Sequence, residues 1–140
     1  MRVVLDLKVV MDTNVFISGV FFSGPPHQIL NAWQSGEFEL AVSQEIMNEY
    51  RRVGEILSEE HRNIDLNPIL GFIIEHAKVY RPVRLKEPIC KDPEDDKFFA
   101  CALASESKVI ISGDKHLLDV SGYAGVDVLK PREFVDKYLD

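Results

Sequence analysis

Cysteine is scarce in this sequence: only Cys90 and Cys101 occur. Their spacing suits neither a zinc site nor a redox pair, so they read as ordinary thiols of a reducing compartment. The histidines, at 27, 61, 76 and 116, show no paired zinc spacing either. No apolar run approaches the roughly 20 residues of a membrane span, and the first residues lack the layout of a signal peptide. The expectation is a soluble cytoplasmic protein without membrane contact. Positive charge is also short. Lys and Arg number 16 against 23 Asp and Glu, a formal net charge of -7, which disfavours a broad basic face gripping duplex DNA. Nucleic acid stays open, because acids gathered to bind cations weigh heavily in that sum. Internal repeats, low-complexity tracts and linkers are absent as well. What is present is material for a core. Hydrophobic residues make up 46% of 140, which excludes disorder and suits a single domain over residues 1–140.

Strand-like and helix-like stretches alternate. Val3 to Met11 is a first strand region, and Val9, Val10 and Met11 form the unbroken apolar run of a strand buried on both faces. Val15 to Phe22 reads as a short helix. A second helix opens near Pro26, carries Ile29, Leu30 and Trp33 inward, and ends at Gly36. Phe38 to Val42 is a second strand, and Ser43 caps a helix reaching about Leu57. Gly54 to Leu66 is polar and fits either more helix or a turn. Pro68 opens another helix. Lys78 to Val83 is extended, with Pro82 marking it as an edge strand. Asp92-Pro93 starts a helix to about Ser107. Strands follow at Val109–Ser112 and Val126–Leu129, with a short helix through Leu118 between them and a last helix from Pro131. This alternation predicts an α/β fold: a mainly parallel sheet between helices.

Several acids stand where apolar residues are expected. Asp12 closes the first strand and Asp114 closes Val109–Ser112. In open α/β sheets ligands bind outside the carboxyl ends of strands, although each acid also fits a helix cap. Glu49 falls on the apolar stripe of Ile46, Tyr50, Val53 and Leu57. In Asp92-Pro-Glu-Asp-Asp96, Asp92 suits a cap, and Glu94 and Asp95 suit the positive end of the helix dipole. Asp96 lines up with Phe99, Ala100 and Leu103. If strands one and four are neighbours, Asp12 and Asp114 emerge side by side, and Asp12, Glu49, Asp96 and Asp114 reach one edge of the sheet. Four carboxylates in one site require cations. Oxygen ligands without Cys or His select Mg²⁺ or Mn²⁺, and a carboxylate-held metal pair suits phosphodiester displacement.

Four stretches together resemble the PIN-domain ribonucleases, especially toxin components of prokaryotic toxin–antitoxin systems. They are Val10-Met-Asp-Thr-Asn-Val-Phe16, the segment Val42 to Val53, the segment Asp92 to Ala104, and Ile111-Ser-Gly-Asp-Lys-His-Leu-Leu118. The resemblance implies a PIN-like three-layer fold with a five-stranded sheet, and a metal-dependent endoribonuclease. It implies that Asp12, Glu49, Asp96 and Asp114 bind the metal, with Asn14 and Ser112 supporting them. It also implies RNA as substrate and a silencing antitoxin protein as partner; that the RNA is single-stranded RNA is the expectation from charge. Arg51, Arg52, Lys97, Lys115 and His116 are the candidate phosphate contacts, a small basic rim that suits a flexible strand. The apolar residues of 15–22, Trp33 and the Pro68 helix either pack internally or leave a face for a homodimer or an antitoxin-like peptide. A receiver-type phosphoacceptor domain fits poorly, because Glu49 lies within a helix. A haloacid-dehalogenase-like phosphatase would need an acid where Asn14 stands. A catalytically silent PIN-like scaffold that binds RNA or protein is the remaining alternative.

Overall fold

The run Val9–Met11 is the middle of the sheet. In the computed structural model, which describes residues 7–139, β1 (Lys8–Met11) is flanked by β2 (Glu39–Val42) and β4 (Val109–Ile111). Val9, Val10 and Met11 are fully shielded from solvent. A strand paired on both edges and covered on both faces has no solvent side, so it shows no alternation. The part of the expected first strand before Leu7 lies outside the described residues. The full strand order is β3-β2-β1-β4-β5, with β3 at Lys78–Val79 and β5 at Asp127–Leu129. All four pairings are parallel, so the sheet expected to be mainly parallel is wholly so among the described residues.

The chain steps outward from β1 to β2 to β3, then returns past β1 to form β4. The reversal falls between β1 and β4, where Met11 is in register with Ile111. That is the topological switch point, the usual ligand site of an open α/β sheet. The helices between which the sheet lies are α1 (Thr13–Phe21), α2 (Pro25–Gln34), α3 (Gln44–Glu60), α4 (Asn67–His76), α5 (Asp96–Ser105), α6 (Lys115–Leu118) and α7 (Pro131–Phe134). The return crossing is α5, which packs on β1, β2 and β4.

Local chemistry explains most boundaries. Ser43 accepts from the N–H of Ile46 at 3.2 Å and so caps α3. The polar stretch after Gly54 continues α3 to Glu60 before turning. Gly54 is buried, and a Cβ there would sit 2.7 Å from Leu66 Cδ2, so the glycine lets the segment before α4 close onto α3. Gly19 does the same between α1 and α2, where a Cβ would meet the Pro26 carbonyl oxygen at 2.8 Å. Pairing at the β3 edge stops early. The Tyr80 N–H donates to Val42 at 2.8 Å, and Pro82 has no N–H to continue the ladder.

Most of the apolar surplus packs internally. Val15, Phe16, Ile17, Phe21 and Trp33 are buried, and Trp33 meets Phe72 of α4 edge-on at 5.0 Å. Phe22, Ile74 and Val79 stay exposed. No helix among the described residues is long and apolar enough to cross a membrane.

Candidate functional site

The ends of β1 and β4 are tied together through Ser112. The Asp12 N–H donates to the Ile111 carbonyl at 3.0 Å, which extends the strand ladder by one bond. One Asp12 carboxyl oxygen accepts from the Val15 N–H at 2.8 Å, and the other accepts from the Ser112 hydroxyl. The Ser112 oxygen in turn accepts from the Asp114 N–H at 2.9 Å. Asp12 therefore caps α1 with one oxygen and is held against β4 by the other. It is buried, at 4% exposure. Burial pushes its carboxyl up to about 6; the hydrogen bonds from Ser112 and Val15 oppose that rise, and the charges of Asp114 and Asp95 add to it.

Glu49 reaches the same end of the sheet from α3. The neighbouring Tyr50 locks the helix there: its hydroxyl donates to the Met11 carbonyl at 2.5 Å, and its ring stacks on Phe16 at 4.2 Å. Glu49 then accepts from the Thr13 hydroxyl at 2.7 Å and pairs with the Lys97 ammonium at 2.6 Å. Burial works to raise its carboxyl, but hydrogen bonds from Lys97 and Thr13 outweigh burial and hold it below the ordinary range. Lys97 itself is buried and also bonds the carbonyl of Glu94 at 2.7 Å. It is therefore placed to hold Glu49 rather than to meet a phosphate.

The acid that this segment turns toward Asp12 and Asp114 is Asp95, not the expected Asp96. Asp95 ends a single 3₁₀ turn, Pro93–Asp95, that precedes α5. Its side chain is 14% exposed, and its Oδ2 is buried without a hydrogen-bond partner among the described residues. Burial raises its carboxyl, the charges of Asp114 and Asp92 raise it further, and His116 and Lys97 oppose them. His116 Nδ1 lies 3.7 Å from Asp95 Oδ2 and 3.9 Å from Asp114 Oδ1. Asp114 accepts from the His116 N–H at 2.8 Å, capping α6. Both oxygens of Asp96 are engaged elsewhere: they accept from the N–H groups of Cys90 at 2.7 Å and Ile89 at 3.2 Å, pinning the loop before α5.

Sequence reasoning assigned Asp95 only to the helix dipole. Its usable signal was the Asp-Pro opening, which tightens the first turn. Of the supporting residues, Ser112 bridges Asp12 and Asp114. Asn14 is exposed, and its side chain makes no hydrogen bond among the described residues. Arg51, Arg52 and Lys115 are exposed, and the charge of Arg52 is felt at Glu49.

Mutually repelling carboxylates at a switch point, Asp12 buried and Asp95 with a buried oxygen that accepts no hydrogen bond among the described residues, make a site that fits a hard divalent cation. Asp92, Asp95 and His116 can each turn a ligand atom to within 4.8 Å of the others, so one imidazole is available beside the oxygens. A sequence model of the PIN domain family matches residues 8–116, from β1 through the start of α6. The chain is also 28% identical over 149 residues to the uncharacterised protein MJ1680 of Methanocaldococcus jannaschii, covering 96% of this chain and 93% of that protein.

Proposed function

The chain belongs to the PIN-domain family, which makes it a nuclease-type hydrolase, and on that premise we propose that it is a Mg²⁺- or Mn²⁺-dependent endoribonuclease cutting single-stranded RNA, in the role of a toxin of a toxin–antitoxin pair. The observation that carries the reading is the buried Oδ2 of Asp95, without a hydrogen-bond partner among the described residues, close enough to Asp12 and Asp114 for their charges to act on one another. Asp12, Asp95 and Asp114 would hold the cation, with His116 at its flank. A divalent ion held there would supply a nucleophile from water at neutral pH and would neutralise charge on the phosphodiester.

The chain's own residues hold that centre in place. Ser112 fixes the orientation of Asp12, and Lys97 with Thr13 keeps Glu49 ionised and directed. A protein nucleophile is disfavoured. Burial pushes the thiols of Cys90 and Cys101 up to about 12, Asp96 adding to the effect at Cys90, and the Ser112 hydroxyl is occupied by Asp12. Water is therefore the attacker. Arg51, Arg52 and Lys115 form an exposed basic rim for the phosphates of a flexible strand. Exposed apolar residues, Phe22, Ile74 and Val79 among them, leave surface for an antitoxin-like peptide or a second copy of the chain.

The test is end-group analysis of cleaved RNA. Hydrolysis by water should leave a 5′-phosphate and a 3′-hydroxyl, and cutting should stop in EDTA. Cyclic phosphate ends, or cutting that survives EDTA, would refute the mechanism. Failure to cut any RNA with Mg²⁺ or Mn²⁺ would favour a silent binding scaffold.

A further inference from the structure

We propose that Lys97 takes the place of a second divalent ion beside Glu49, so that the centre at Asp12, Asp95 and Asp114 binds one ion. This rests on the metal centre proposed above and concerns how many ions it holds. A two-ion site needs carboxylate oxygens open to both ions, which sit roughly 3.5–4 Å apart. Both Glu49 oxygens are engaged, one of them by a cation. Its Oε1 accepts from the Thr13 hydroxyl at 2.7 Å, and its Oε2 meets the Lys97 ammonium at 2.6 Å.

Lys97 is equally fixed. Its three protons have three acceptors: Glu49 Oε2 at 2.6 Å, the Glu94 carbonyl at 2.7 Å and Glu94 Oε2 at 3.3 Å. Its side chain is 5% exposed, and its ammonium lies 5.5 Å from the centre of the Phe98 ring. An ion arriving at Glu49 would have to displace a buried ammonium whose every proton is used, and would cost that ammonium its shortest contact. An ion beside Glu49 would also be repelled by that ammonium. Lys97 is thus a positioning residue, a fixed cation that keeps Glu49 ionised and directed without being lost to chelators.

The test counts Mn²⁺ on the full-length chain by native mass spectrometry and calorimetry, with electron paramagnetic resonance to detect spin-coupled pairs. The native chain should bind one Mn²⁺ and give an uncoupled signal. Lys97→Met, which removes the charge at similar length, should bind a second Mn²⁺ and show a coupled pair. Glu49→Gln in the native background should weaken binding of the single ion by less than about threefold, whereas Asp95→Asn should weaken it by tenfold or more. Two ions on the native chain, a folded Lys97→Met variant that still binds only one, or a tenfold loss in Glu49→Gln would each overturn the role of Lys97 while leaving the proposed nuclease standing. No Mn²⁺ binding at all would overturn both.

Discussion

Replacing Asp12 with Asn should stabilise the metal-free protein at neutral pH. The carboxyl rises from an ordinary 3.8 to about 6, chiefly because it is buried. A rise of about two pH units corresponds to about 3 kcal/mol. The folded state disfavours the ionised form, so the sign follows. Well below 3.8 the carboxyl is protonated in folded and unfolded chains alike, and no cost exists. The cost grows as pH rises through 3.8 and is complete well above 6. In Asp12→Asn the amide oxygen still accepts from the Val15 N–H, while the Ser112 hydroxyl loses a charged acceptor, a loss of about 1 kcal/mol. The net gain is about 2 kcal/mol, or about 6 °C in Tm for a chain of this size. Calorimetry in EDTA at pH 7.5 and at pH 4 measures it. The gain should appear at pH 7.5 and vanish or reverse at pH 4. Saturating Mn²⁺ should then invert the ranking, since about 2.7 kcal/mol accrues to the native chain at a hundredfold excess over Kd and less to the variant. A variant less stable than the native chain by the same margin at both pH values would refute the reasoning, because the loss would then be independent of the charge on Asp12.

Asp96→Asn and Asp95→Asn should behave oppositely in the metal-free protein. Asp96→Asn weakens the acceptor for two backbone N–H groups and should cost about 1–3 kcal/mol, while Asp95→Asn removes repulsion and should hold or raise Tm; denaturant titration distinguishes them, and equal losses would contradict the site described here. Ser112→Ala removes a hydrogen bond that favours ionised Asp12, so the pH at which Mn²⁺ affinity is half lost should move upward, and an unchanged pH profile of Mn²⁺ binding would remove Ser112 from the site. It also leaves the Asp114 N–H without its acceptor, which should lower stability by about 1–3 kcal/mol at every pH.

The sheet could be read from the chain because burial on both faces writes itself directly into composition: Val9–Met11 and Val109–Ile111 have no polar residue to misplace. The meeting of Asp12 and Asp114 depended on strand order, and the parallel pairing of β1 with β4 supplies it. Ser112 could be placed beside that pair, but nothing in its spacing shows one hydroxyl donating to one acid while accepting from the backbone of the other. The segment at 92–96 resisted reading for a different reason. α5 buries Phe98, Phe99, Ala100, Cys101 and Ala102 in succession, so it is covered nearly all round, and its periodicity marks no single inward face. Aligning Asp96 with Phe99 and Leu103 showed only that it points toward protein. It does, but the protein there is the loop at Ile89 and Cys90. One residue earlier, a rotation of about 100° about the helix axis, made at the end of a 3₁₀ turn, carries Asp95 to the end of the sheet instead. Two adjacent acids in one run thus have different work, one closing a loop and one facing the cluster. The distinction lies in what each face of the helix meets, which is a property of the crossing from β3 back to β4 and not of the acids themselves.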